Sequence, residues 1–188
     1  NEHQVLHCDG TYRWLLVRGI AVRNEKGRAI RLVGSLTDIT ERKTVEQKLA
    51  HDALHDALTG ASNRKCLINR IKRSLERMKF NNDYSFAVLF IDLDRFKSIN
   101  DSLGHQVGDE LLIKITEKLE LLIRPTDLLA RLGGDEFMIV VENTKTKAQA
   151  KPVLERLLEP LQKPLIIEGQ DTYPSASTGV ASRSKDSE

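Results

Sequence analysis

The chain has 188 residues, 40% of them hydrophobic and 30% charged, with a formal net charge of +2. This composition supports a buried core and excludes a disordered profile, and the near-balanced charge provides no basic field that would single out nucleic acid as a partner. Two cysteines, Cys8 and Cys66, are too few and too scattered for a disulfide framework or a zinc site, and they fit a reducing compartment.

The length is long for one small domain and short for two full ones. No window approaches the ~20 apolar residues of a membrane span, and no signal peptide is evident. The expectation is a soluble, cytoplasmic piece whose parent can carry membrane segments elsewhere.

Residues 1–40 hold two β-rich runs, Tyr12 to Val22 and Ala29 to Thr37, around the turn Asn24-Glu25-Lys26-Gly27. An isolated hairpin is marginal, so these strands are expected to belong to a larger sheet that begins before Asn1. A thinly apolar helix follows over 41–54, through Val45, Leu49 and Ala53, with Thr40 as its expected N-cap. It reads as a connector.

His55-Asp56-Ala57-Leu58-Thr59-Gly60 opens a second domain. Ser62 or Asn63 can cap a helix with Leu67, Ile71, Leu75 and Met78 on its apolar face. Tyr84 to Ile91 is a near-continuous apolar run, expected as a strand buried on both faces, and it ends in Asp92-Leu93-Asp94. Carboxylates at the end of a buried strand are costly unless they meet solvent, a metal or a partner.

The segment 104–109 reads as a glycine-bracketed loop into a helix carrying Val107, Leu111, Ile115, Leu119 and Leu122, stopped by Arg124-Pro125. Next come two short β-prone runs around Arg131-Leu132-Gly133-Gly134-Asp135-Glu136-Phe137, which read as a hairpin. Its adjacent carboxylates repel unless a cation sits beside them. A helix over 146–158, kinked or restarted at Pro152, precedes Leu165-Ile166-Ile167, a turn at 169–171 and a final run from Tyr173. The order α β α β β α β β predicts an α+β domain with helices on one or both sheet faces.

Gly133-Gly134-Asp135-Glu136-Phe137 resembles the signature of the GGDEF family of diguanylate cyclases. The resemblance extends over residues 55–181, through Asp56-Ala57-Leu58-Thr59 and the run from Phe90 to Asp101. Residues 1–40 resemble the C-terminal half of a PAS sensor domain, through Asp9-Gly10-Thr11-Tyr12-Arg13-Trp14 and the closing run from Gly34 to Arg42. The resemblance implies a partial antiparallel PAS sheet (1–40), a signalling helix (41–54) and a GGDEF domain (55–188). The fold implied for the last is the ferredoxin-like, palm-like sheet of nucleotide cyclases and polymerases. It also implies condensation of two GTP into cyclic di-GMP with release of pyrophosphate, in a homodimer with one GTP per domain.

Phosphoryl transfer suits Mg²⁺ (or Mn²⁺) held by a few carboxylates and phosphate oxygens. By resemblance, Asp92, Asp135 and the carbonyl of Leu93 hold the metal, Asp135 and Glu136 share the metal and proton-acceptor work, and Lys97 neutralises phosphate charge. Backbone amides at 96–97, in the turn at Phe96, can seat phosphate as a nest.

Asn100 and Asp109 occupy the family's guanine-reading positions, with His105 beside them, although by residue type alone Asp109 also suits a helix start and Asn100 a turn. Arg124 and Asp127 match the product-inhibition site for cyclic di-GMP. Departures are Ala61-Ser62, where the family has Leu-Pro, and residues 182–188, which offer no counterpart to the lysine and arginine of the family's last helix; weakened GTP affinity is the expectation. The alternative is a regulatory module that binds GTP or cyclic di-GMP and controls a tandem phosphodiesterase domain.

Overall fold

The computed structural model describes residues 1–167 and 169–183, so part of the stretch 182–188 lies outside the described residues. The chain divides into two compact units, Asn1–Asp52 and Ala53–Glu188. Among the described residues no helix is long and apolar enough to cross a membrane.

The first unit is an antiparallel meander of β1 (Glu2–Leu6), β2 (Tyr12–Arg23) and β3 (Ala29–Asp38), followed by helix α1 (Thr40–Asp52). The hairpin at Asn24 forms as its sequence predicts: the Asn24 side-chain oxygen accepts the amides of Lys26 and Arg28, and Gly27 takes φ 76°. Strand β1 carries no strong periodicity and was not anticipated. Thr40 starts the helix, but its hydroxyl oxygen accepts the Trp14 amide at 2.8 Å instead of capping the first turn. Asp38 accepts the Thr40 amide.

The second unit contains α2 (Arg64–Phe80), β4 (Phe86–Leu93), α3 (Phe96–Leu103), α4 (His105–Leu122), β5 (Leu128–Gly133), β6 (Glu136–Glu142), α5 (Lys147–Leu158), β7 (Leu165–Ile167), β8 (Gln170–Thr172) and β9 (Ala176–Arg183). Strands order as β5-β6-β4-β9, all antiparallel, while β7 and β8 form a separate two-stranded ribbon. With β4 and β6 central, the connectivity is the β-α-β-β-α-β arrangement of ferredoxin-like sheets.

Strand alternation divides the apolar residues between two cores. Leu89, Ile91, Phe137 and Ile139 face α4 and α5 through Leu111, Ile115, Leu119 and Leu157, whereas Phe86, Val140 and Ala130 face Leu67 and Met78 of α2. The expected α+β fold, with helices on both faces, is what forms.

Three local expectations are corrected. The 104–109 loop is a single hinge residue, Gly104 at φ 91°, after which α4 is already helical at His105; the residues before it form α3, whose eight residues are too few to show a clear period. Helix α5 runs unbroken through Pro152, its sixth residue of twelve, so the restart expected there does not occur. The turn expected at 169–171 is shorter, because Gln170 and Asp171 already pair with Ile167 and Ile166.

Asn63 fastens the start of the second unit. Its side-chain oxygen caps α2 at the Cys66 amide, and its amide nitrogen donates to the carbonyls of Ala53 and His55. Replacing it with alanine removes a cap and two further bonds and is expected to cost about 1–2 kcal/mol. Urea denaturation should place Asn63→Asp, which keeps only the capping acceptor, between the two.

Candidate active site

Strand β4 is apolar until its penultimate residue, Asp92, and the strand register then decides the chemistry. Asp92 stands opposite Glu136 on β6 and Ser177 on β9, and the Leu93 amide donates to the Asp135 carbonyl at 3.3 Å. Gly133 and Gly134, at φ 138° and 57°, allow the tight turn that places Asp135 beside the strand end.

A cavity of about 660 Å³ lies there, lined by Asp92, Leu93, Asp94, Arg95, Phe96, Lys97, Asp135 and Ser175. Burial and the neighbouring charges of Asp135, Glu136 and Asp94 hold the Asp92 carboxyl above the ordinary carboxylate range. Asp94 lies below that range, because it accepts the Ser177 hydroxyl at 2.7 Å and bonds Ser175.

Among the described residues no three His, Cys, Asp or Glu side chains close around a metal position. Of the three carboxylates that line the cavity, Asp94 is engaged by Ser177, which leaves Asp92 and Asp135, with a nearby backbone carbonyl, as the donor set. All are hard oxygens, and the remaining positions of an octahedral cation would fall to ligand oxygens and water, which is how Mg²⁺ is usually held. The donors fit such an ion, and the crowding at Asp92 is what a cation would relieve.

The cavity gathers Asp92, Leu93, Phe96, Lys97 and Asp135, with Glu136 in register beside it. The guanine-reading candidates are arranged around the α3–α4 turn. Asn100 packs against Gly108 so closely that a Cβ there would come within 1.9 Å of its Oδ1, so this position admits no side chain. That oxygen is buried without a hydrogen-bond partner, an arrangement rare enough to require a reason. Asp109 and His105 are exposed on the first turns of α4.

Arg124 and Asp127 stand at the opposite end of the β5–β6 hairpin from Asp135. Arg124 is exposed, whereas Asp127 is buried, one oxygen accepting the Arg124 amide and the other the Glu142 amide, both at 3.1 Å. Asp127 therefore shapes this turn, and Arg124 is its open cation.

A second network had no role assigned from sequence. Arg131 donates through Nε and Nη2 to the Gly134 carbonyl at 3.0 and 2.8 Å, and through Nη1 to Asp56 at 2.7 Å. Burial raises the Asp56 carboxyl, but the Thr59 hydroxyl, Arg131 and the Thr59 amide outweigh it and leave it below its usual range. The opening motif Asp56-Ala57-Leu58-Thr59 thereby anchors the carbonyl one residue before Asp135. Both ends of this network lie in stretches that the sequence singles out, but no local signal joins them across 75 positions.

Residues 53–188 match the family described as "Diguanylate cyclase, GGDEF domain". MucR of Pseudomonas aeruginosa, a bifunctional diguanylate cyclase/cyclic di-GMP phosphodiesterase, is 39% identical over 142 residues, covering 76% of this chain and 20% of that protein. PdeR of Escherichia coli (strain K12), a cyclic di-GMP phosphodiesterase, is 34% identical over 175 residues, 93% of this chain and 26% of that protein. A solved structure of a truncated TpbB (YfiN) from P. aeruginosa, comprising only the GGDEF domain, superposes with a TM-score of 0.64 at 37% identity, covering 68% of this chain and 74% of that one. This chain thus spans about a fifth to a quarter of the length of these two curated relatives.

Arg131→Ala strands the Asp56 carboxylate and frees the Gly134 carbonyl; the expected loss is roughly 2–4 kcal/mol. Chemical denaturation would measure it, and Arg131→Lys, with a single ammonium in place of the fork, should recover only part.

Proposed function

This chain belongs to the GGDEF diguanylate cyclase family, and from that membership we propose that it condenses two GTP into cyclic di-GMP and pyrophosphate. The observation that carries the reading is the set of carboxylates at one cavity: Asp92 and Asp135 line it, Glu136 stands opposite Asp92 in the strand register, and Lys97 is on the same wall. A purely structural turn gains nothing from like charges brought together, whereas a phosphoryl-transfer centre uses them to hold a cation.

In this reading Asp92, Asp135 and the Leu93 carbonyl hold Mg²⁺, which supplies positive charge to the reacting α-phosphate and the departing pyrophosphate. The chain's own groups do the remaining work. The 3′-hydroxyl of one GTP gives up its proton to Asp135 or Glu136 as its oxygen attacks the α-phosphate of the other, and the bond to the pyrophosphate oxygen breaks. Lys97 neutralises charge on the phosphates. The Asn100 side-chain amide is assigned to the guanine edge, with Asp109 and His105 beside it. Each domain holds one GTP, so the reaction needs two chains facing one another.

The product-inhibition reading assigns the phosphates and guanine of cyclic di-GMP to Arg124 and Asp127, the latter also bonding the backbone of its turn. Residues 1–40 are assigned as part of a PAS sensor and α1 as the connector that carries its state, in a cytoplasmic protein. A second reading is favoured by the similarity to PdeR, which extends over 93% of this chain: a GTP-binding module that regulates a phosphodiesterase domain.

The test incubates the chain with GTP and Mg²⁺ and measures cyclic di-GMP by mass spectrometry. Product is expected, with at least a ~100-fold loss in Asp135→Ala. GTP binding with no product would favour the regulatory module.

A further inference from the structure

Arg95 stands out in the same cavity because its backbone conformation is costly and its side chain is unspent. It takes φ 57° and ψ 22°, the left-handed region, although it is neither glycine nor asparagine and its side chain makes no capping bond to α3. Bulky residues occupy that region at an energetic cost, and such strain collects at functional sites. The side chain is exposed and lines the cavity next to Lys97. Among the described residues no group forms a hydrogen bond or ion pair with its guanidinium. On the adjacent Asp94 it exerts only an electrostatic pull, and the Asp94 carboxylate accepts the Ser177 hydroxyl instead.

We propose that Arg95 is a substrate-binding residue that grips the terminal phosphates of GTP and selects the triphosphate over shorter phosphate chains. This rests on the GTP-binding reading above. Charge complementarity argues for it: a nucleoside triphosphate brings about four negative charges to a wall that already holds Asp92, Asp94 and Asp135, and among the described residues Lys97 is the only other cation lining the cavity. The guanidinium fork matches two phosphate oxygens at once, which an ammonium cannot do.

The left-handed turn also serves the ligand. A left-handed residue leading into the right-handed first turn of α3 points successive backbone N–H groups into one concavity, a nest for an anion. The strained backbone and the free side chain thus serve the same phosphate group.

Isothermal titration of the chain with GTP and with GMP, both in Mg²⁺, tests this, using Arg95→Gln, Arg95→Gly and Arg95→Lys. Arg95→Gln and Arg95→Gly are expected to weaken GTP binding by about 10- to 100-fold, to leave GMP binding within about twofold, and to lose the preference for the triphosphate. Arg95→Lys should retain part of it. Glycine enters the left-handed region freely, so Arg95→Gly should melt no lower than the parent, which separates lost contact from lost fold. Parent-like GTP affinity in both Arg95→Gln and Arg95→Gly would overturn the assignment, and so would equal losses for GTP and GMP. A parent chain that binds no GTP would overturn the GTP reading itself, and Arg95 with it.

Discussion

Repulsion among carboxylates that the sheet register forbids to move apart is the constraint on which this domain turns. Asp92 and Glu136 face each other across β4 and β6, and Asp135 follows the tightest turn of the hairpin. A slip of one residue would relieve the repulsion, but it would turn every apolar residue of β4 to the wrong core. Leu89, Ile91, Phe137 and Ile139, all fully buried, hold the register instead. Burial of those side chains contributes about 1.5–3 kcal/mol each, and that is what holds the carboxylates in register at the strand end.

The β5–β6 hairpin is pinned at both ends by charged groups that bind backbone. At the tip, Arg131 takes the Gly134 carbonyl and passes its remaining donor to Asp56. At the base, Asp127 takes the amides of Arg124 and Glu142, and the buried Glu142 carboxylate is paired with Arg70 at 3.1 Å and Arg77 at 3.6 Å, while Arg70 also donates to the Thr126 carbonyl. Two strands fixed at both ends form a stiff element. Asp135 rides on one end and Arg124 on the other, so the catalytic and product-binding candidates share a single rigid support.

Much of this was legible in the sequence because burial writes itself as periodicity. Helices α2 and α4 announced themselves through Leu67 to Met78 and Val107 to Leu122, and β4 through its unbroken apolar run. The glycines before Asp135 marked the hairpin. What escaped was what periodicity does not encode. Helix α3 is too short for its own period to show. Thr40 resembles an N-cap, yet its hydroxyl serves the Trp14 amide, a long-range partner. The two backbone amides that the Asp127 carboxylate accepts, from Arg124 and Glu142, are likewise contacts of the fold that no period encodes. The Asp56–Arg131 bridge joins residues that no local pattern connects. The site's carboxylates could be named from sequence, but their crowding is a property of register and emerges only when β4, β6 and β9 align.

The most direct test of that crowding is thermal stability with and without Mg²⁺, for the chain and for Asp92→Asn. The folded state raises the Asp92 carboxyl above its unfolded range, so the folded protein holds the proton more tightly. The ionisation cost is absent below the unfolded carboxylate range of about pH 4, grows between that and the raised folded value, and is complete above it. At pH 7 without metal, Asp92→Asn should therefore melt higher than the parent. Added Mg²⁺ should raise the parent's melting temperature and leave that of Asp92→Asn nearly unchanged. A metal-free Asp92→Asn that melts lower than the parent, or one that gains as much from Mg²⁺, would contradict the account.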